Sequence, residues 1–250
     1  MSKEPYERGL ARGHRSAARV AAVIGAVFAA GCTGGRAVAP LTLRSLYGLK
    51  PATQIEAAQT ALLLVDFQEE FRSGALPVPG AESAARRAQE LLGWARRNSV
   101  LVVHVRQVAS SATSPLFAPG TRTIAFLPGV EPREGELVVT KSMAGAFTRT
   151  DLGEQLASRG MKHIVLAGIM THLAVDTTAR DAAVLGYHVL VASDATATRS
   201  LADLTGSAPL EAELVQRAAL ASLGDRFAEI LRSEEIVRLP VVGPPVRQSR

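Results

Sequence analysis

Apolar residues fall along this chain in two alternating rhythms. Uninterrupted runs at 61–65 (ALLLV), 100–105 (VLVVHV) and 163–167 (HIVLA) have the pattern of strands buried on both faces. Weaker runs at 136–140 (ELVVT) and 188–192 (HVLVA) read the same way. Between the runs, apolar positions recur three and four residues apart. Ala84, Ala88, Leu91, Leu92 and Ala95 do so over 83–98, and Val175, Ala179, Ala182 and Ala183 do so up to Leu185. That spacing makes the apolar stripe of a helix. Gly186 is expected to close the second of these helices. A last helix is expected at 210–223 and a strand-like segment at 235–237. Strands alternating with helices predict an α/β fold, a doubly wound and mostly parallel sheet in a three-layer α/β/α sandwich.

The ends of the chain break the rhythm. Residues 1–19 are polar and basic, 20–31 (VAAVIGAVFAAG) are apolar, and small residues precede Cys32. This is the layout of an export signal, although an N-terminal helix packed on the domain would also fit. Cys32 then becomes a candidate lipid anchor, and the expected location is exported, periplasmic or membrane-anchored, with a cytoplasmic protein as the alternative. Residues 32–59 contain Pro40, Gly48 and Pro51 and read as a linker or surface arm. One domain is expected over 60–239, and residues 240–250, with three prolines, are expected to be a mobile tail.

Composition narrows the functional classes. With 250 residues, 47% hydrophobic and 20% charged, the chain can build one sizeable core. Its net charge is +5, but +3 of that lies in residues 1–31, so the remainder gives no electrostatic case for nucleic acid. Aromatic residues are only 4%, which argues against base-stacking platforms. A single cysteine excludes an intramolecular disulfide, and no Cys/His cluster points to structural zinc.

Three places combine a strand end with reactive side chains. Asp66-Phe67-Gln68 leaves the first strand, Lys141-Ser142 leaves the strand at 136–140, and 168–179 (GIMTHLAVDTTA) joins a strand to a helix. In open α/β sheets, ligands sit at the carboxyl ends of strands. Taken singly, Asp66 could be a turn residue and Lys141 a solvated charge. His104, inside its strand, reads as a satisfied core histidine, and Asp194 as the residue that fixes the turn after its strand. A dinucleotide site would need a glycine-rich turn after the first strand, and a serine hydrolase of the nucleophile-elbow type would need Gly-x-Ser-x-Gly. Neither is present.

Taken together, the three segments resemble the isochorismatase-like cysteine hydrolases. An apolar strand ending in Asp-x-Gln, a strand ending in Lys-Ser before Phe-x-x-Thr-x-Leu, and a Gly-x-x-Thr-x-x-Cys-Val turn are the family's pattern. The resemblance spans roughly residues 60–239. It implies hydrolysis of a C–N bond in a small amide, ureide or lactam, and a homo-oligomer. It also implies a catalytic Asp66, Lys141 and residue 174, with Met170 and residue 174 forming an oxyanion hole around a cis Ile169–Met170 bond. Phe67, Gln68, Phe71, Gln107, Phe147, Thr171 and His172 would contact substrate. No metal or other cofactor is expected, because His104-Val105-Arg106-Gln107 stands where a metal-binding relative needs an Asp-x-His.

One position departs from the pattern. The nucleophilic cysteine is Ala174 here. Three explanations stay open: a Cys-to-Ala change introduced to trap substrate, a natural hydrolase that uses Asp66 without a thiol, or a non-catalytic small-molecule binder.

Overall fold

The structure, a computed structural model, describes residues 41–206 and 208–243. The expected export signal and Cys32 lie outside the described residues.

The arm contributes a short helix, α1 (Leu43–Leu46), and a short strand, β1 (Ile55–Glu56), and a second short helix, α2 (Glu70–Ser73), follows the first strand of the sheet. Six parallel strands then form the central sheet: β2 (Thr60–Val65), β3 (Leu101–Gln107), β4 (Leu137–Lys141), β5 (His163–Ile169), β6 (His188–Ala197) and β7 (Glu229–Leu231). Their spatial order is β4-β3-β2-β5-β6-β7. The chain starts in the middle, winds outward through β3 and β4, and returns to lay β5 on the other side of β2. This is the doubly wound α/β fold expected from the sequence. The winding reverses between β2 and β5, and in open α/β sheets it is outside the carboxyl ends of the strands at such a point that ligands bind.

Every residue of β2 is buried, and alternate side chains serve different layers. Leu62 and Leu64 pack with α3 (Ala81–Arg97) and Ile236, while Ala61, Leu63 and Val65 pack toward α4 (Leu152–Ser158), α5 (Asp176–Val184) and α6 (Ala212–Arg226). A strand covered on both faces cannot show polar alternation, which is why its sequence is a continuous apolar run. Each such leucine contributes on the order of 1.5–3 kcal/mol by leaving water.

Gly168 lets the two central strands meet at the reversal point. A Cβ there would lie 2.6 Å from the Val65 carbonyl oxygen and 3.1 Å from the Val175 side chain. No other residue type leaves that room.

Three expectations are corrected. Residues 235–237 are not strand-like but lie within α7 (Ser233–Arg238). The Glu235 carboxylate accepts from the Arg232 N–H at 2.6 Å, and Asp194 accepts from the N–H and hydroxyl of Ser233 at 2.7 and 3.0 Å. Asp194 lies inside β6, which continues to Ala197, and ties that strand to a distant helix start rather than fixing a turn after it. The tail expected to be mobile from residue 240 begins instead with a strand, β8 (Val241–Val242), parallel to β1. The arm supplies the partner: the Pro240 carbonyl accepts from the Ile55 N–H at 2.8 Å.

Candidate active site

At the end of β2 the backbone of Asp66 turns left-handed, with φ 56°. Aspartate tolerates this region better than most residues. Its N–H still donates to the Val105 carbonyl at 2.9 Å, so the turn stays fastened to β3. The Asp66 carboxylate meets the Lys141 ammonium at 2.6 Å, and both side chains are almost wholly buried. Lys141 stands at the end of β4, two strands away. Between them Gln107, at the end of β3, accepts from Lys141 Nζ at 2.9 Å, and the Met143 carbonyl accepts at 3.1 Å. An ammonium has three hydrogens to donate. Asp66, Gln107 and Met143 take all three.

The glutamines therefore differ from the substrate-facing roles expected of them. Gln68 is fully buried and clamps a neighbouring strand end. It donates to the carbonyls of Gln107 and Ile124 at 2.9 and 3.1 Å and accepts from the Gln107 N–H at 2.8 Å. Gln107 spends its side-chain oxygen on Lys141.

Electrostatically, burial dominates Asp66. Loss of hydration raises its pKa from 3.8 to about 6, against the attraction and hydrogen bond of Lys141. One oxygen, Oδ2, faces Lys141, while Oδ1 is buried without a hydrogen-bond partner. A carboxyl group with a free oxygen and a pKa near 6 can exchange a proton close to neutral pH.

Beside it, across the reversal point, lies the turn after β5. The Ile169–Met170 peptide bond is cis. The Met170 carbonyl accepts from the N–H groups of both Leu173 and Val175, at 3.1 and 3.2 Å. This wider loop makes Thr171–Val175 a π-helical turn that runs directly into α5. Such turns recur at functional sites. Thr171 is buried and its hydroxyl has no partner. Ala174 is also buried, at 4% exposure. His172 is half-buried and its Nδ1 is hydrogen-bonded to the Thr198 hydroxyl. Burial, and then the positive charge of Arg199, push the His172 pKa below its ordinary value, with Asp176 opposing.

The aromatic residues sort differently from expectation. Phe67 and Phe71 belong to the core on the α3 side, Phe71 packing edge-on against Phe117 with centroids 5.4 Å apart. Phe147 stacks on Tyr187, which precedes β6. The loop that carries it is pinned to α5. Ala146 N–H donates to the Thr178 hydroxyl at 3.1 Å, and a Cβ on Gly145 would lie 2.5 Å from an Asp181 oxygen.

His104 is buried inside its strand as expected but is only half satisfied, because its Nδ1 has no hydrogen-bond partner and Nε2 alone is paired. It meets Glu136 at 2.9 Å, and Arg96 holds the same carboxylate at 2.8 Å. Two residues that sequence reading passed over stand next to the turn, Thr198 and Arg199. The signal that marks them is their position just past the carboxyl end of β6, whose Ala197 pairs with Ile169.

Known proteins share this architecture. Residues 60–235 match the Isochorismatase domain family. The chain is 35% identical to the "Secreted isochorismatase effector Isc1" of Verticillium dahliae, covering 78% of this chain and 98% of that one. It is 30% identical to maleamate amidohydrolase of Pseudomonas putida over 56% of this chain and 72% of the relative. Among solved structures, a cysteine hydrolase from Pseudomonas syringae superposes with a TM-score of 0.70 at 28% identity, covering 76% of this chain and 97% of that one. The match to the family domain spans most of the chain, over the same segments that bring Asp66, Lys141 and the 168–176 turn to one sheet edge, and this chain belongs to the isochorismatase-like hydrolases.

Proposed function

We propose that this protein has the site of a C–N hydrolase for small amides, ureides or lactams, complete except for its thiol. The observation that carries this reading is the buried Asp66–Lys141 pair, with Asp66 Oδ1 unpartnered, at the sheet edge where Asp66 ends the strand next to the one that leads into the turn holding Ala174. A thiol at position 174 would attack the carbonyl carbon, with Asp66 taking its proton and later returning it to the leaving nitrogen. Lys141 has no hydrogen left for substrate, so its part is to hold Asp66 in place and favour the thiolate by charge. The N–H groups of Met170 and residue 174 would receive the carbonyl oxygen as it becomes an oxyanion, each typically contributing on the order of a hundred- to a thousandfold in rate. The names of the maleamate amidohydrolase and cysteine hydrolase relatives favour this chemistry. Export fits the basic, apolar and small-residue order of residues 1–32 and the secreted relative.

The test is Ala174→Cys. Turnover of a panel of small amides and ureides is expected to rise by on the order of a thousandfold or more, as the restored nucleophile acts with groups already in place. Asp66→Asn in the same protein is expected to abolish it. With Cys32→Ser as background, iodoacetamide is expected to label the introduced thiol faster than an ordinary exposed one near pH 7, because Lys141 and the start of α5 both favour the anion. One observation supports a second reading. A carboxyl group with a pKa of about 6 can itself donate a proton to substrate, so Asp66 could hydrolyse a vinyl ether without a thiol. If the unmodified protein turns its substrate over as fast as Ala174→Cys does, that reading replaces the first.

A further inference from the structure

We propose that the arm at residues 42–50 is a contact surface for a lipid bilayer with anionic headgroups, and that Leu43, Leu46, Tyr47 and Leu49 enter the interface. This goes beyond the hydrolase reading and does not depend on it.

The arm is built with both of its caps in place. Thr42 opens α1, its hydroxyl accepting from the Ser45 N–H at 3.2 Å. Gly48, at φ 69°, closes it. The Gly48 N–H donates to the Ser45 carbonyl at 3.1 Å, and the Leu49 N–H donates to the Arg44 carbonyl at 3.0 Å. This pair of bonds is the Schellman motif, which commonly pairs apolar residues at the positions of Leu49 and Leu43. The body of the fold holds the arm at two further points. Asp225 accepts from the Leu43 N–H at 3.0 Å, and the Arg226 guanidinium lies 4.7 Å from the centre of the Tyr47 ring.

The display on this framework is inverted. Arg44, the charged residue of α1, is buried, while Leu43, Leu46, Tyr47 and Leu49 are 41, 60, 67 and 42% exposed. Residues three and four apart share a helix face, so Leu43 stands with Leu46 and Tyr47. Apolar side chains scattered singly over a surface are ordinary. Four within seven residues, on a turn too firmly capped to fold them inward, mark a contact surface.

Charge selects the occupant. Residues 32–50 carry Arg36, Arg44 and Lys50 and no acidic side chain. Lys50 is exposed, and Arg226 adds a second exposed cation from the end of α6. Asp225, the carboxylate beside them, is spent on the Leu43 N–H. A second copy packed two-fold on this patch would bring Lys50 and Arg226 toward like charges. An anionic headgroup layer meets them with opposite charge, takes the leucines at its acyl boundary, and suits the apolar ring and polar tip of Tyr47. Connectivity agrees. Thr42 follows Cys32 by ten residues, at most roughly 36 Å of extended chain from the end of the apolar run at 20–31. A single acyl chain on Cys32 would bind a membrane only marginally, and the arm supplies the second contact that stable anchoring needs.

The experiment mixes the full chain with vesicles of phosphatidylglycerol and phosphatidylcholine. Leu46→Trp places a fluorophore on the patch, and the chain's own Trp94 is buried and gives a constant background. The emission of the introduced indole is expected to shift to the blue with these vesicles, and to shift far less with pure phosphatidylcholine or at high salt. Leu204→Trp, exposed in the loop beyond the carboxyl end of β6, is expected not to shift. Leu46→Ser combined with Tyr47→Ser is expected to weaken cosedimentation with the vesicles by about tenfold or more. Both positions are exposed, so these changes leave the core untouched. An emission from Leu46→Trp that vesicles leave unchanged overturns the proposal even when the chain cosediments, because residues outside the arm then do the binding. An equal shift on neutral vesicles, or an equal shift in Leu204→Trp, overturns it as well. So does a blue shift that appears without lipid and grows with protein concentration, the mark of a second copy seated on the patch.

Discussion

At the scale of single residues, the site is built from groups that hold one another before they touch anything else. Asp66 and Lys141 were legible in the sequence because each ends an apolar run, where an α/β sheet presents its ligands. The use of Gln107 was not legible. A glutamine at a strand end looks the same whether its carboxamide faces a ligand or a neighbouring lysine, and only the register Gln107↔Lys141 decides. We therefore assign Gln107 a positioning role. Gln107→Leu is expected to leave one buried ammonium hydrogen unpaired and to cost about 1–3 kcal/mol in stability by denaturant titration. Its more specific signature is in the pH profile. In the Ala174→Cys protein, activity should rise through about pH 6 as Asp66 ionises. With Lys141 less firmly held, less of its attraction offsets the burial of Asp66, and the rise is expected to move to higher pH. An unchanged profile with only a lower melting temperature would make Gln107 structural alone.

At the scale of elements, the close approach of β5 to β2 is the most demanding feature. The pattern of apolar runs announced both strands, and Gly186, with φ 90°, caps its helix as the sequence suggested. Gly168 carries more than a turn, because the Val65 carbonyl occupies the space any Cβ would need. Gly168→Ala is expected to destabilise the fold by about 1–3 kcal/mol through overpacking. It should also spread Asp66 from the 170–174 turn, so that restored activity falls more than stability does. A variant that melts and turns over like its parent would show that the strands can part at no cost. Elements outside the apolar rhythm were the ones misread. The helix at Ser233–Arg238 is only six residues long, too short to display a helical period, and its start is held by Asp194 from another part of the chain. The strand at Val241–Val242 exists because Ile55–Glu56 offers it an edge. Partners separated by nearly two hundred residues leave no mark on local pattern.

At the scale of the whole molecule, buried titratable groups decide how the fold responds to acid. Desolvation depresses the pKa values of His104, His172 and His188 below 6.5, so their contribution to stability is present above that value and is lost as pH falls through the folded values. In Glu136, burial acts upward but is outweighed by Arg96, the Arg133 N–H and His104, which bring the pKa to about 2. Its contribution is present above 4.5 and is lost between there and about 2. Asp66 has the opposite sign. Its pKa is raised by burial to about 6, so the folded state binds its proton first, and stability is gained as pH falls from about 6 to 3.8. Burial raises Asp181 as well, so three histidines and Glu136 outnumber two opposing carboxyls. The melting temperature is therefore expected to be highest near or above pH 7 and to fall on acidification, more steeply below 4.5, where Asp66 has already taken its proton and Glu136 begins to take one. Thermal melts at pH 7.5, 5.5 and 3.5 measure this directly. Glu136→Gln should flatten the lowest limb, because it removes the carboxylate that Arg96 and His104 hold in common. A melting temperature that rose steadily from pH 7.5 to 3.5 would mean that Asp66 outweighs the histidines, and that burial at the sheet's carboxyl edge, rather than the Arg96–Glu136–His104 cluster, sets the acid stability of the whole protein.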